Sequence, residues 1–238
     1  MMKKLPLFGL GILLLAACSD DSSTEPAFDA TFDASRAVAE MNERISFDNT
    51  TSGAVRYEWD FGNGQKSTTD TASTRYDNTG TYTVKLTAYN ADNRAATTTK
   101  TVRIGRPYLS RLQIAAMNFL DSSGMPWDAD GSGPDMYFRL QFRVNQQTVP
   151  VTTATINDVQ ANSLPVNWDI VPTQMPAIDE GPVTVSVYEV TPGQAERRMF
   201  INMTPAVRSA NRDAEGNGSF EIKPIGSPWR FVFYYKTL

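Results

Sequence analysis

Tyr57-Glu58-Trp59-Asp60-Phe61-Gly62-Asn63-Gly64 decides how the first half of the chain folds. Tyr57, Trp59 and Phe61 alternate with Glu58 and Asp60, the period-2 pattern of a half-buried strand, and the glycines that follow permit the positive φ of a tight turn. Working outward, Gly80-Thr81-Tyr82-Thr83-Val84-Lys85-Leu86-Thr87 alternates again. Tyr82, Val84 and Leu86 point to one face and the threonines and Lys85 to the other, so the two strands are expected to share one core centred on Trp59. Tyr76 and Tyr82 belong to that core by the same spacing.

Together these stretches resemble the PKD domain, an immunoglobulin-like sandwich whose signature is a Trp-Asp-Phe-Gly-Asp-Gly run followed by His-x-Tyr and Gly-x-Tyr-x-Val-x-Leu. Asn63 stands where that family has Asp, and Thr74 stands at its His, ahead of Arg75 and Tyr76. The resemblance implies an all-β sandwich over residues 27–104, with a strand near residues 28–32, a turn, and a strand through Ile45-Ser46-Phe47. The residues alone leave a second reading open: Ala37, Val38, Met41 and Ile45 fall at helical spacing behind Asp33 and Ser35 as caps. Residues 67–74 read as a polar connection. Asn90-Ala91-Asp92-Asn93 reads as a hairpin turn into a last strand at 97–104, whose threonines are expected to face solvent.

Composition sets the outer limits. The 238 residues, 41% hydrophobic and 20% charged, suit two sandwiches of about 100 residues each. The chain has no histidine and one cysteine. Histidine-based acid-base catalysis, histidine metal sites, disulfides and thiol clusters are therefore excluded, and no Gly-x-Ser-x-Gly nucleophile elbow is present. The chain is accordingly expected not to be an enzyme. A formal charge of -4 argues against nucleic acid as a partner and favours cationic ligands over phosphates.

At the N-terminus, Lys3 and Lys4 precede an apolar run at residues 5–17, too short for a membrane span of about 20 residues and shaped like a signal peptide. Leu15-Ala16-Ala17-Cys18 resembles the bacterial lipobox. That resemblance implies cleavage after residue 17 and acylation of Cys18, the only cysteine in the chain. Two or three acyl chains at about 0.8 kcal/mol per buried CH₂ hold a protein stably on a membrane. Residues 18–26 (Cys-Ser-Asp-Asp-Ser-Ser-Thr-Glu-Pro) form an acidic tether, which also resembles the export signal of surface-exposed lipoproteins; a plain solvated linker explains it equally. The expected location is the bacterial outer membrane.

Gly105-Arg106-Pro107 marks a boundary, and beyond it about seven or eight short strands are expected, at 109–117, 136–144, 149–156, 183–190, 199–203, 219–222 and 230–235. Leu112-Gln113-Ile114-Ala115, Asp121 and the run from Trp127 to Phe138 are similar to the first strand, first loop and second strand of a C2 domain. Leu164-Pro165-Val166-Asn167-Trp168-Asp169 resembles that family's Asn-Pro-x-Trp segment, and Val183-Thr184-Val185-Ser186-Val187-Tyr188-Glu189 resembles the strand into its third loop. The resemblance covers residues 108–238 and implies a second β-sandwich.

Asp121, Asp128, Asp130 and Asp135 fall on one Gly-rich stretch, a supply of hard oxygen ligands of the kind Ca²⁺ requires. Asp128-x-Asp130-x-Ser132-Gly133 begins like an EF-hand loop, but its twelfth position is Arg139 rather than Glu. In the C2-like version, Asp128 or Asp121 with Asp135 supplies the first loop, and Glu189 with backbone carbonyls must complete the shell. A solvated acidic loop is the competing reading. Trp127 in this loop either stacks on a sugar ring or partner surface, or folds under its own loop. The acid pairs Asp179-Glu180 and Asp213/Glu215 flank turn residues, so solvated turns explain them better than a glycosidase pair does. PKD domains of surface proteins are associated with protein or carbohydrate contact. The resemblance thus implies a non-catalytic binding or adhesive role, with a spacer or an accessory to polysaccharide degradation as alternatives.

Overall fold

The computed structural model of the chain describes residues 28–128, 130–179, 181–204 and 212–238. The signal-peptide residues 1–17, Cys18 and its tether, and Glu180 lie outside the described residues. Among the described residues every regular element is a strand, apart from single 3-10 turns at Ala161–Ser163 and Pro172–Gln174.

Eight strands make the first sandwich: β1 Phe32–Ala34, β2 Val38–Glu40, β3 Ile45–Asn49, β4 Ala54–Asp60, β5 Lys66–Ser67, β6 Thr71–Thr74, β7 Gly80–Asn90 and β8 Ala95–Gly105. One sheet runs β1-β3-β6 and the other β2-β8-β7-β4-β5. Trp59 on β4 sits between them, 1% exposed. Its ring meets Phe32 edge-on at 5.1 Å and lies 6.0 Å from Phe47, both from the opposite sheet. Its Nε1 donates to the Thr69 carbonyl at 2.8 Å, which satisfies the one polar group that burying an indole brings along. The turn after β4 needs Gly62: its φ is +75°, and a Cβ there would lie 2.7 Å from the Thr83 carbonyl oxygen.

The strands that the resemblance implies prevail over the helical spacing of residues 33–45: β3 runs through Ile45-Ser46-Phe47 as expected, β1 starts at Phe32 rather than near residue 28, and one more strand lies between them. Val38–Glu40 is a strand, paired in parallel with β8 (Val38↔Arg103). Its neighbours explain the pattern. Ala39 is buried in the first sandwich's core, while Val38 packs against Gly216 of the second sandwich, where a Cβ would come within 2.8 Å of its Cγ1. A strand buried on both faces shows apolar residues at successive positions and imitates helical spacing. Residues 67–74 also differ from expectation, because Thr71–Thr74 is a full strand on β3 that buries Ala72 and Thr74. The Asn90–Asn93 turn is as expected, with the Asn90 side chain accepting from the Asp92 and Arg94 amides. The threonines at 97, 99 and 101 are exposed.

The second sandwich contains β9 Pro107–Ala116, β10 Met136–Val144, β11 Gln147–Thr152, β12 Val166–Asp169, β13 Val183–Glu189, β14 Arg197–Thr204, β15 Asn217–Ile222 and β16 Arg230–Thr237. Its sheets run β12-β9-β16-β15 and β11-β10-β13-β14, every pairing antiparallel. Leu112, Ile114, Phe138, Leu140, Val185 and Phe231 fill the space between. β12 is the strand not expected from pattern alone. It carries Trp168 into this core, edge-on to Phe138 at 4.8 Å, with its Nε1 donating to the Ala154 carbonyl.

Only Arg106 separates β8 from β9, and the C-terminal strand returns to hold it. The Arg106 amide donates to the Leu238 carbonyl at 2.9 Å and the Leu238 amide donates back at 3.0 Å. Arg103 reaches the Thr237 carbonyl at 3.0 Å. Beside this backbone clamp, the fully buried Arg212 side chain lies 2.9 Å from Glu40 and also contacts Glu43. The two sandwiches therefore meet through a packed, charged and hydrogen-bonded junction.

Candidate functional site

From its paired start at the junction, β9 carries the chain about 30 Å to the opposite end of the second sandwich, at the rise expected for ten extended residues. There the loop of residues 117–135 meets the short hairpin between β13 and β14. Asp121 shapes the first loop from within: its Oδ1 accepts from the Ser123 and Met125 amides at 2.8 and 3.1 Å. A bridge between Leu120 and Pro126 closes the resulting turn. The Asp135 carbonyl accepts from the Val190 amide at 2.9 Å, which ties the two loops together.

Between them lies a cleft of about 370 Å³, lined by Asp121, Trp127, Asp128, Thr191, Gln194 and Arg197 among others. Trp127 is half-buried, and its Nε1 donates to the Asn118 carbonyl at 3.1 Å, so the indole is partly folded under its own loop. The Arg197 guanidinium lies 5.4 Å from the ring centroid, within cation-π range. Arg197 also holds Glu189: Nε to Oε2 is 2.8 Å, and Thr191 Oγ1 donates to the other oxygen at 2.5 Å. Its Nη1 is 4.0 Å from Asp121.

These contacts bear on the expected calcium ligands. Among the described residues no group of three or more carboxylates stands where a metal ion could be held. Glu189, fully buried, is ion-paired with Arg197 and accepts a hydrogen bond from the Thr191 hydroxyl. Asp130 accepts from the Ser132 amide and hydroxyl, and those bonds hold its carboxyl below the usual carboxylate range. Asp135 receives the Asp158 amide at 2.8 Å. Asp121 and Asp128 line the cleft, but the positive charge between the loops is a guanidinium. A buried acid that already has a strong cationic partner has little to gain from a second one.

Sequence reasoning missed Arg197, Thr191 and Gln194. Arg197 opens an apolar strand, Arg197-Arg198-Met199-Phe200, and nothing local marks its role. The signal is the hairpin register, which sets Arg197 directly opposite Glu189. The cleft thus offers carboxylates, an amide, a hydroxyl and a guanidinium around an indole. That mixture can hydrogen-bond a polar ligand while covering an apolar face of it.

Comparison with known proteins bears on the first sandwich. The PKD domain family model matches residues 29–103. Collagenase ColA of Clostridium perfringens is 39% identical over 69 residues, which is 27% of this chain and 6% of the collagenase. The crystal structure of the PKD1 domain of Vibrio anguillarum Epp is 33% identical, covering 32% of this chain and 89% of that one, with a TM-score of 0.28. The PKD1 domain from the Vibrio cholerae metalloprotease PrtV is 30% identical, covering 32% and 93%, also with a TM-score of 0.28. The Trp-Asp-Phe-Gly strand and turn, the Tyr76 hydroxyl donating to the Phe61 carbonyl, and the alternating β7 all fall inside the matched span. Residues 29–103 of this chain are a PKD domain.

Proposed function

We propose that this chain is a non-catalytic binding protein of the bacterial cell envelope, anchored in the outer membrane through an acylated Cys18, whose second, C2-like sandwich presents a ligand-binding cleft. The observation that carries the reading is the cleft itself, at the end of β9 away from the junction, with Trp127 and Arg197 at its centre. The placement of the chain's entry supports it. Thr31 hydrogen-bonds to Thr51 beside the start of β4, and Ala54 pairs with Asn90, whereas the junction lies at the other end of β7 and β8, where Gly80 pairs with Ile104. On this reading a tether entering beside Thr31 would set the PKD domain nearer the membrane and the cleft farther from it. The stretch shared with a collagenase over 6% of that protein's length is in keeping with an accessory module.

The ligand class proposed for this cleft is a protein or glycan surface. Screening the full chain against immobilised envelope and plant glycans and matrix proteins is expected to return a binder, and Trp127→Ala should weaken it by about 30-fold, the effect of truncating a central aromatic contact. Equal affinity of the parent and variant would remove the cleft from the binding site. The anchor has its own test. Cys18→Ala is expected to move the protein out of the membrane fraction, because acylation of one thiol is the attachment proposed; unchanged membrane partition would rule that attachment out.

A further inference from the structure

We infer a second site, on the PKD domain itself, that takes an anionic group of an acidic polysaccharide between Arg44 and Arg75. These two exposed arginines line a shallow cleft of about 270 Å³ together with Gln65, Ser73 and Thr74. They also border an adjoining one of about 420 Å³ beside Asn42. Each guanidinium is held in place by part of its donor set. Arg44 donates from Nε and Nη2 to the Ser73 hydroxyl at 3.0 and 2.8 Å, and Arg75 donates from Nη1 to the Asn42 carbonyl. Among the described residues, Arg44 Nη1 and Arg75 Nε and Nη2 have no hydrogen-bond acceptor and are open to a ligand. Two oriented forks are suited to the planar oxygens of a carboxylate or the oxygens of a sulfate ester.

Charge at this place runs against the acidic average of the chain. Among the described residues neither Arg44 nor Arg75 has a carboxylate within ion-pair distance. The two acids on the rim are engaged elsewhere: Glu43 with Arg36 and Arg212, and Glu40 with Arg212. Asn63 matters as well. It stands where the PKD signature has an aspartate, and its Nδ2 donates to the Arg75 carbonyl at 3.1 Å and to Thr74 at 3.3 Å. The signature position is therefore uncharged where it meets the Arg75 backbone, and it adds no carboxylate to the acids already engaged on the rim. The walls are polar, and Met41 is the one large apolar side chain lining the pair of clefts. Such a surface suits a hydroxyl-rich acidic glycan better than a peptide, which would need a pocket for its side chains. This site is separate from the distal cleft, and its test does not depend on that reading.

The experiment measures retention of the full chain on immobilised polygalacturonate, which bears carboxylates, on dextran sulfate, which bears sulfate esters, and on neutral dextran. Retention is expected on at least one charged polymer and not on neutral dextran, and the polymer that binds identifies the anionic group. Arg44→Gln with Arg75→Gln should weaken binding by about tenfold or more, as expected for losing charge-assisted bonds. Lys85→Gln with Lys236→Gln, the same charge change at other exposed positions, should stay within about twofold of the parent, since long-range charge alone is screened. A thermal melt of the arginine variant matching that of the parent separates lost binding from lost fold. Independently of any variant, inorganic sulfate should displace the polymer from the parent better than chloride at matched ionic strength. Retention equal in the arginine variant and the parent, retention on neither charged polymer, or equal displacement by both salts would each overturn the assignment.

Discussion

Trp59→Ala is expected to destabilise the PKD domain by about 3 to 5 kcal/mol, the range for truncating a large buried aromatic. Three features put this site at the high end. The indole is 1% exposed and joins the sheets, touching Phe32 and Phe47 from across the sandwich and stacking near Phe61 just past the end of its own strand. The space it would leave is walled by other rings, which cannot collapse without leaving their rotamers. The Thr69 carbonyl would also lose its donor. Small domains are typically stable by only about 5 to 15 kcal/mol, so this loss is a large fraction of what is available. Calorimetry or circular dichroism must follow it, because Trp127, Trp168 and Trp229 all lie in the second sandwich and their fluorescence reports on that sandwich instead. A melting transition of the first sandwich unchanged in Trp59→Ala would show that the ring does not hold the sheets together.

Such a residue was legible because its signal is local. The alternation around Trp59, and the glycines after it, needed only eight positions to announce a strand and its turn. The same holds for β7 and for β10, β13 and β16 in the second sandwich, where apolar alternation and strand length agree. What was not legible depends on partners distant in sequence. Val38 and Ala39 imitate a helix because one faces the PKD core and the other faces Gly216, and nothing within residues 33–45 reveals a second sandwich 170 or so positions later. Asp121 reads as a calcium ligand because its stretch is rich in aspartate, and Glu189 because the C2 resemblance sets it in the opposing loop. Arg197, which stands between them, is brought there by pairing across a hairpin. Trp127 fell between the two readings offered for it, half under its loop and half lining a cleft. Arg44 and Arg75 lie 31 positions apart in sequence, and only the pairing of β3 with β6 brings them to one cleft, beside the two departures from the PKD signature at Asn63 and Thr74.

Arg212→Ala is expected to cost about 3 to 5 kcal/mol, because removing one member of a buried ion cluster strands the charges left behind. Arg212 comes just before β15 of the second sandwich, and its side chain is fully buried against Glu40 and Glu43 of the first. It also donates to Thr237 Oγ1 at 3.2 Å. Glu40 lies 2.9 Å from the guanidinium, but that oxygen is not aligned to accept a hydrogen bond from it, and the neighbouring Tyr235 hydroxyl is buried without a partner among the described residues. Glu43 and Thr237 therefore accept hydrogen bonds from the guanidinium, whereas Glu40 is held by charge. Burial raises the Glu40 carboxyl above its ordinary 4.5, Arg212 opposes that rise, and Glu43 and Asp179 add to it. The sign of the pH effect follows. A carboxyl with a raised folded pKa binds its proton more tightly in the folded chain than in the unfolded one, so its contribution is most favourable below about 4.5 and declines as pH climbs through the window up to the folded pKa. In Arg212→Ala the opposing cation is gone, the folded pKa rises further, and the window extends toward neutrality. The gap in melting temperature between the parent and variant is accordingly expected to be large at pH 7 and to shrink on acidification toward pH 4.5, and Glu40→Gln placed in the Arg212→Ala background should recover part of it at pH 7. Because the cluster spans both sandwiches, calorimetry of the variant should also separate the melting of the two sandwiches further than in the parent. A variant that melts with the parent at every pH, or a gap that does not change with pH, would show that the junction is held by its backbone clamp at Arg106 and Leu238 rather than by buried charge.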